Sequence, residues 1–128
     1  MSQERFTGRR ILVVDDDPDI LESMELAISA EGAEVVTAAD GNTAVSMFNA
    51  QPPDAIVLDM MLPRRSGFLV LEKIQESEDP PPVVMITANQ GRRHMQYAQG
   101  LGVAAYLVKP VSLTRLLNTI EDAMAETE

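Results

Sequence analysis

The sequence predicts an α/β fold, a three-layer doubly wound sandwich with a parallel five-stranded sheet between helices. Two observations predict it. Five short aliphatic runs alternate with five segments of helical periodicity, with no internal repeat and no linker. Apart from Glu34 to Ala38, the runs are also apolar up to their carboxyl ends, as in strands covered on both faces, and are not polar at every second residue.

The first run, Ile11 to Val14, ends in Asp15-Asp16-Asp17-Pro18, where Asp17 suits a helix cap and Pro18 the first helical position. Ile20, Leu21, Met24, Ala27 and Ile28 then follow at helical spacing, and Gly32 should stop the helix. Glu34 to Ala38 is the second strand. Asp40-Gly41 is turn chemistry, and a second helix with Ala44, Val45 and Phe48 inward runs to about Ala50. Pro52-Pro53 ends it. Ala55 to Asp59 is the third strand, followed by a loop from Pro63 to Gly67 and a helix containing Phe68, Leu71 and Ile74. Pro80-Pro81-Pro82 closes that segment before the fourth strand, Val83 to Thr87. The fourth helix, near Arg92 to Leu101, is the weakest, since glycines flank and interrupt it. Ala104 to Val108 is the fifth strand. The last helix carries Leu113, Leu116, Leu117, Ile120 and Met124 on one stripe, with Ser112 as its cap.

At 128 residues this is one domain, read as residues 10–126, with residues 1–9 as a polar lead-in for which disorder is one reading. The absence of cysteine excludes disulfides and thiolate metal sites and fits a reducing, cytoplasmic setting. No apolar run approaches the roughly 20 residues of a membrane helix, and no signal-peptide core is visible. A net charge of −10 argues against nucleic-acid binding, which needs clustered cations. Solubility is its bland explanation. The sharper one is that part of the excess lines a single divalent-cation pocket.

Parallel strands place their carboxyl ends along one edge, so the polar residues there can be read as a set. The set is Asp15 and Asp16, Asp59, Thr87 and Lys109. Each alone has an ordinary explanation, such as capping for the Asp pair. Together, crowded carboxylates call for a hard cation, and Mg²⁺ prefers oxygen ligands that it shares with phosphate. A carboxylate beside Mg²⁺, a hydroxyl and an ammonium is equipped for phosphoryl transfer.

These stretches, Ile11-Leu12-Val13-Val14-Asp15-Asp16-Asp17-Pro18, Ile56-Val57-Leu58-Asp59-Met60-Met61-Leu62-Pro63 with Gly67, Met85-Ile86-Thr87-Ala88 and Tyr106-Leu107-Val108-Lys109-Pro110, carry a resemblance. From about Arg10 to Ala125 the chain resembles the receiver domain of two-component response regulators. The resemblance implies a flavodoxin-like (βα)5 fold with strand order 2-1-3-4-5. It implies that Asp59 accepts a phosphoryl group from a sensor histidine kinase or phosphotransfer protein. Asp15, Asp16, Asp59 and the main-chain carbonyl of Met61 would hold Mg²⁺. Thr87 and Lys109 would contact the phosphoryl group, and the Lys109-Pro110 bond would be cis. Thr87 and Tyr106 match the family's switch pair, with the ring turning inward on phosphorylation and repacking the face of helix four, strand five and helix five. That face would serve a downstream effector domain or protein, or a homodimer. Such a domain catalyses only its own phosphorylation and dephosphorylation. A hydrolase using Asp59 as nucleophile would need a cap, for which no insertion is long enough. A phosphorylation-independent interaction domain normally lacks one of the five polar residues, all of which are present.

The chain departs from the family in the loop Pro63-Arg64-Arg65-Ser66-Gly67, where an acidic or amide residue is usual before the glycine. With Arg92-Arg93, these arginines are either solvated rim residues or a device to attract a phosphodonor or select a kinase. Met61 and Asn89 occupy positions that in the family set the lifetime of the acyl phosphate. A bulky Met61 would obstruct water. His94, the single histidine, reads as a surface residue of the fourth helix.

Overall fold

A computed structural model of the protein describes residues 4–88 and 91–126. The elements alternate as β1 (Arg10–Val14), α1 (Pro18–Ser29), β2 (Glu34–Ala38), α2 (Gly41–Ala50), β3 (Ala55–Asp59), α3 (Gly67–Gln75), β4 (Val83–Thr87), α4 (Arg92–Gly100), β5 (Ala105–Val108) and α5 (Leu113–Ala125). All strand pairs are parallel, and the order is β2-β1-β3-β4-β5, as expected. None of the described helices is long and apolar enough to cross a membrane.

Each apolar run feeds two cores, because successive side chains of a strand point to opposite faces. Ile11, Val13, Val57, Val84 and Ile86 pack with Met24 and Ile28 of α1 and Leu116 and Ile120 of α5. Leu12, Val14, Ile56, Leu58 and Met85 pack with Phe48 of α2, Val70 and Leu71 of α3 and Ala98 of α4. Burial of both sets explains why no polar alternation is visible in the sequence.

The helix starts follow the capping residues. Asp17 accepts hydrogen bonds from the Asp19 and Ile20 amides, Asp40 from Thr43, Ser66 from Leu69 and Ser112 from Arg115. Only α4 has a glycine, Gly91, at its cap position, with no side-chain cap hydrogen bond. Gly32 turns the chain after α1 with φ +95°, a value that disfavours any residue with a Cβ.

The lead-in reading needs correction for the residues described. Phe6 is fully buried in the α1/α5 core. Arg5 donates to Glu31 at 3.1 Å, to Asn118 at 2.9 Å and to Glu121 at 3.1 Å. The segment therefore staples the end of α1 to α5.

Candidate functional site

The strand register brings the polar ends together. Val14 lies opposite Leu58, Asp59 opposite Ile86 and Thr87 opposite Val108, so Asp15, Asp59, Thr87 and Lys109 leave the sheet along one edge. Asp15 and Asp59 are buried, with 0% and 3% exposure, and Asp16 is exposed beside them. Each of the three carboxylates offers an oxygen within 4.8 Å of the others. The cleft above them has a volume of about 480 Å³ and is lined in part by Asp16, Asp59, Met61, Ala88 and Lys109.

Lys109 is the local counter-charge. Its Nζ lies 3.0 Å from Asp15 Oδ2 and 3.4 Å from Asp59 Oδ2. Burial works to lower the pKa of its ammonium, but the Asp15 hydrogen bond and the two carboxylate charges outweigh it and raise the pKa above the usual value. The other oxygens are held by backbone: the Asp17 amide donates to Asp15 Oδ1 at 2.9 Å and the Met61 amide to Asp59 Oδ1 at 3.1 Å. One ammonium does not balance the group. Burial first, and then the charge of Asp15, push the Asp59 carboxyl above its ordinary range against the opposing Met61 amide and Lys109.

A raised carboxyl pKa means that this group adds stability below its unfolded value, and that the contribution is lost as pH rises through the folded value. Ionised Asp59 therefore burdens the metal-free fold at neutral pH. With chelator present, Asp59→Asn should raise Tm by roughly 3–8 °C at neutral pH, and the gap should close in mild acid. An unchanged or lower Tm at neutral pH would contradict this electrostatic picture.

The residues fit a divalent cation. Asp15 Oδ2 is buried and meets one cation, Lys109, at 3.0 Å. Oxygen donors of this charge and spacing match Mg²⁺ better than a softer metal.

Thr87 is fully buried at the end of β4. Tyr106 is half-buried, and its hydroxyl donates to Met60 Sδ at 3.8 Å. Burial raises the tyrosine pKa, opposed by a hydrogen bond with the Thr87 side chain. The ring thus sits inward already. The Lys109-Pro110 bond is cis. Asn89 lies outside the described residues.

The arginines divide. Arg92 and Arg93 are exposed at the start of α4. Arg65 Nε donates to Asn42 Oδ1 at 3.1 Å, toward α2 and away from the cleft. Arg64 adds its charge to the Thr43 amide that chiefly holds the Asp40 carboxyl below the usual range. His94 is half-buried, 5.9 Å from the ring of Phe68 and not on the open surface as expected. Tyr97 meets Phe68 edge-on at 4.9 Å and donates to Glu72 at 2.8 Å, which ties α4 to α3.

Three residues shape the site through contacts that the sequence reading did not find. Gly67 packs so closely on Asp59 that an added Cβ would overlap the Asp59 carbonyl oxygen. Gly41 stands in the same relation to the Arg65 carbonyl. Met60 supplies the sulfur that Tyr106 meets. The glycines carry a faint signal, being next to a cap or loop, but the contact itself is tertiary.

Comparisons with known proteins agree with this geometry. Residues 11–121 match the response regulator receiver domain family. The chain is 35% identical over 118 residues to the response regulator MprA of Mycolicibacterium vanbaalenii, which covers 92% of this chain and 51% of that one. It is 33% identical over 117 residues to the probable transcriptional regulatory protein TcrX of Mycobacterium tuberculosis, with coverages of 91% and 50%. The chain spans about half the length of these relatives. A receiver domain protein from Methanospirillum hungatei JF-1, described as CheY-like, superposes with a TM-score of 0.89 at 29% identity, covering 93% of this chain and 95% of the other. The chain therefore belongs to the response regulator receiver domain family, the signalling domains of two-component phosphorelays.

Proposed function

We propose that the domain, residues 10–126 with the preceding segment packed on it, accepts a phosphoryl group on Asp59 from a phosphohistidine of a sensor kinase or phosphotransfer protein. One observation carries the proposal: a buried carboxylate at a strand end, paired with a lysine and a second buried carboxylate, opens onto a cleft. Asp15, Asp16, Asp59 and the Met61 carbonyl would hold Mg²⁺. When bound, the ion supplies positive charge that draws phosphate oxygens to the carboxylates and offsets their repulsion.

A carboxylate oxygen of Asp59 forms the new P–O bond as the P–N bond to the donor imidazole breaks, and the imidazole keeps that electron pair. The Met61 amide, on Asp59 Oδ1, fixes which oxygen is turned to the donor. Lys109 offsets charge on the phosphoryl oxygens, and the Thr87 hydroxyl donates to one of them. Apolar surface for the donor protein is offered by an adjoining groove of about 660 Å³, lined by Ile20 and Met24 of α1 and by Pro110, Val111 and Leu113.

The output would pass through Thr87 and Tyr106. When Thr87 turns to the phosphoryl group, its contact with Tyr106 changes, and the α4-β5-α5 face repacks. That face would meet an effector region, an effector protein or a second copy, in the cytoplasm with the kinase. The uncapped start of α4 suits this role.

Incubation with acetyl phosphate and Mg²⁺, followed by intact mass, tests the acceptor. One added phosphate, absent from Asp59→Asn, is the expected result. No gain in the wild type, or an equal gain in the variant, would refute it.

Met61 is 63% exposed at the cleft, and its side chain would stand where water must approach the acyl phosphate. Met61→Asn, which replaces a thioether with an amide able to orient water, should speed dephosphorylation about 10-fold, less than the roughly 100-fold or more of a positioned acid or base, since an amide takes up no proton. Equal lifetimes would remove the side chain from the mechanism.

A further inference from the structure

The loop between β3 and α3 is tied down at both ends by the site itself. At one end the Met61 amide donates to Asp59 Oδ1, and at the other the Gly67 amide donates to the Met60 carbonyl at 2.8 Å. Between these anchors the chain makes a turn of the rarer hand at Arg64, φ +71°, closed by the Arg65 amide on the Pro63 carbonyl at 2.7 Å. A left-handed arginine is strained, so neighbouring structure must hold it there.

The neighbour that holds it is the start of α2. The Gly41 amide donates to the same Pro63 carbonyl at 3.3 Å. The Gly41 Cα lies against the Arg65 carbonyl with no room for a side chain. Arg65 Nε closes the contact on Asn42 Oδ1. No α2 residue lines the cleft.

We propose that Gly41, Asn42 and Arg65 form a latch that fixes the β3–α3 loop, making Asn42 and Arg65 positioning residues for the cation-binding end of the site. The inference rests on the proposed metal reading. Residues that orient ligands from behind typically change metal affinity by about 10- to 100-fold. A single exposed hydrogen bond should act at or below the lower end of that range. The charge effect runs the other way: removing the Arg65 cation should by itself favour a cation nearby. Loss of Mg²⁺ affinity on removing a positive charge would therefore report the latch.

The test uses the full chain with Asn42→Ala, Arg65→Ala and the double variant. It measures Mg²⁺ affinity by calorimetry and amide exchange of Met61 to Arg65. Each single substitution should weaken Mg²⁺ binding about 3- to 10-fold, and the double variant should be no weaker than the worse single. Exchange across the loop should quicken in all three. Asn42→Asp, which gives Arg65 a charged acceptor, should hold wild-type affinity or better, and should bring no such gain over Asn42→Ala in the Arg65→Ala background. Additive losses, or a lower Tm with unchanged affinity and exchange, would overturn the latch. If the wild type takes up no Mg²⁺, the metal reading fails instead. Exchange then decides alone: faster exchange in the variants supports the latch, and unchanged exchange overturns it.

Discussion

Lys109→Ala, measured in chelator, should cost about 3 kcal/mol of stability, the scale for removing one partner of a buried ion pair, and lower Tm by roughly 10 °C. The lysine is the only cation within ion-pair distance of Asp15 and Asp59 among the described residues. Without it two buried carboxylates face each other uncompensated. Burial and Asp15 already push Asp59 upward with the lysine in place. The loss should therefore grow from acid to neutral pH, as the uncompensated carboxylates ionise. Bound as proposed, Mg²⁺ would bring the missing charge to the same oxygens. A concentration about 100-fold above Kd should return about 2.7 kcal/mol, and the variant should gain more from it than the wild type, where the ammonium and the ion compete. Equal gains in the two proteins would show that the lysine and the cation do not share those oxygens.

Gly67→Ala should cost about 2–4 kcal/mol and depress phosphorylation of the folded remainder. The added methyl would run into the Asp59 carbonyl oxygen and the Met60 backbone, neither of which can swing aside as a side chain can. Relief requires moving the end of β3, the strand that ends in the proposed acceptor Asp59, or the start of α3, whose Ser66 cap is adjacent. Gly100→Ala is the matched control. A Cβ there meets nothing within 4 Å, and the change should be neutral or stabilising by up to about 1 kcal/mol. Denaturant melts of the two variants make the comparison. Equal effects would mean that close approach at Gly67 is unimportant.

The sequence carried the sheet because burial on both faces leaves an unbroken apolar run, a signal that needs no partner to be read. It carried Asp15, Asp59 and Lys109 for a related reason: parallel strands of known direction fix which ends meet. It did not carry Phe6. A single aromatic in a polar stretch has no period, and its burial depends on a gap between α1 and α5 that exists only after folding. The directions of Arg65 and His94 were also hidden. Arg65 in its loop and His94 on α4 turn to partners set by the tertiary fold, Asn42, 23 residues back, and Phe68, 26 residues back. Gly41 and Gly67 read as turn and loop residues, since what excludes a Cβ is backbone from another part of the chain. The inward ring of Tyr106 depends on Met60, whose sulfur is one residue past Asp59 and lies in the strand's apolar shadow.

The Arg5 staple has a consequence for how the protein is made. Its partners Asn118 and Glu121 lie 113 and 116 residues further along the chain. During synthesis this segment leaves the ribosome long before α5 and must wait for the next 113 residues before its clamp can close. Contacts of such sequence separation raise contact order and come late in folding. Phe6 would spend that interval exposed, an apolar group with its pocket not yet built, and the last turns of α5 are what bring the interval to an end.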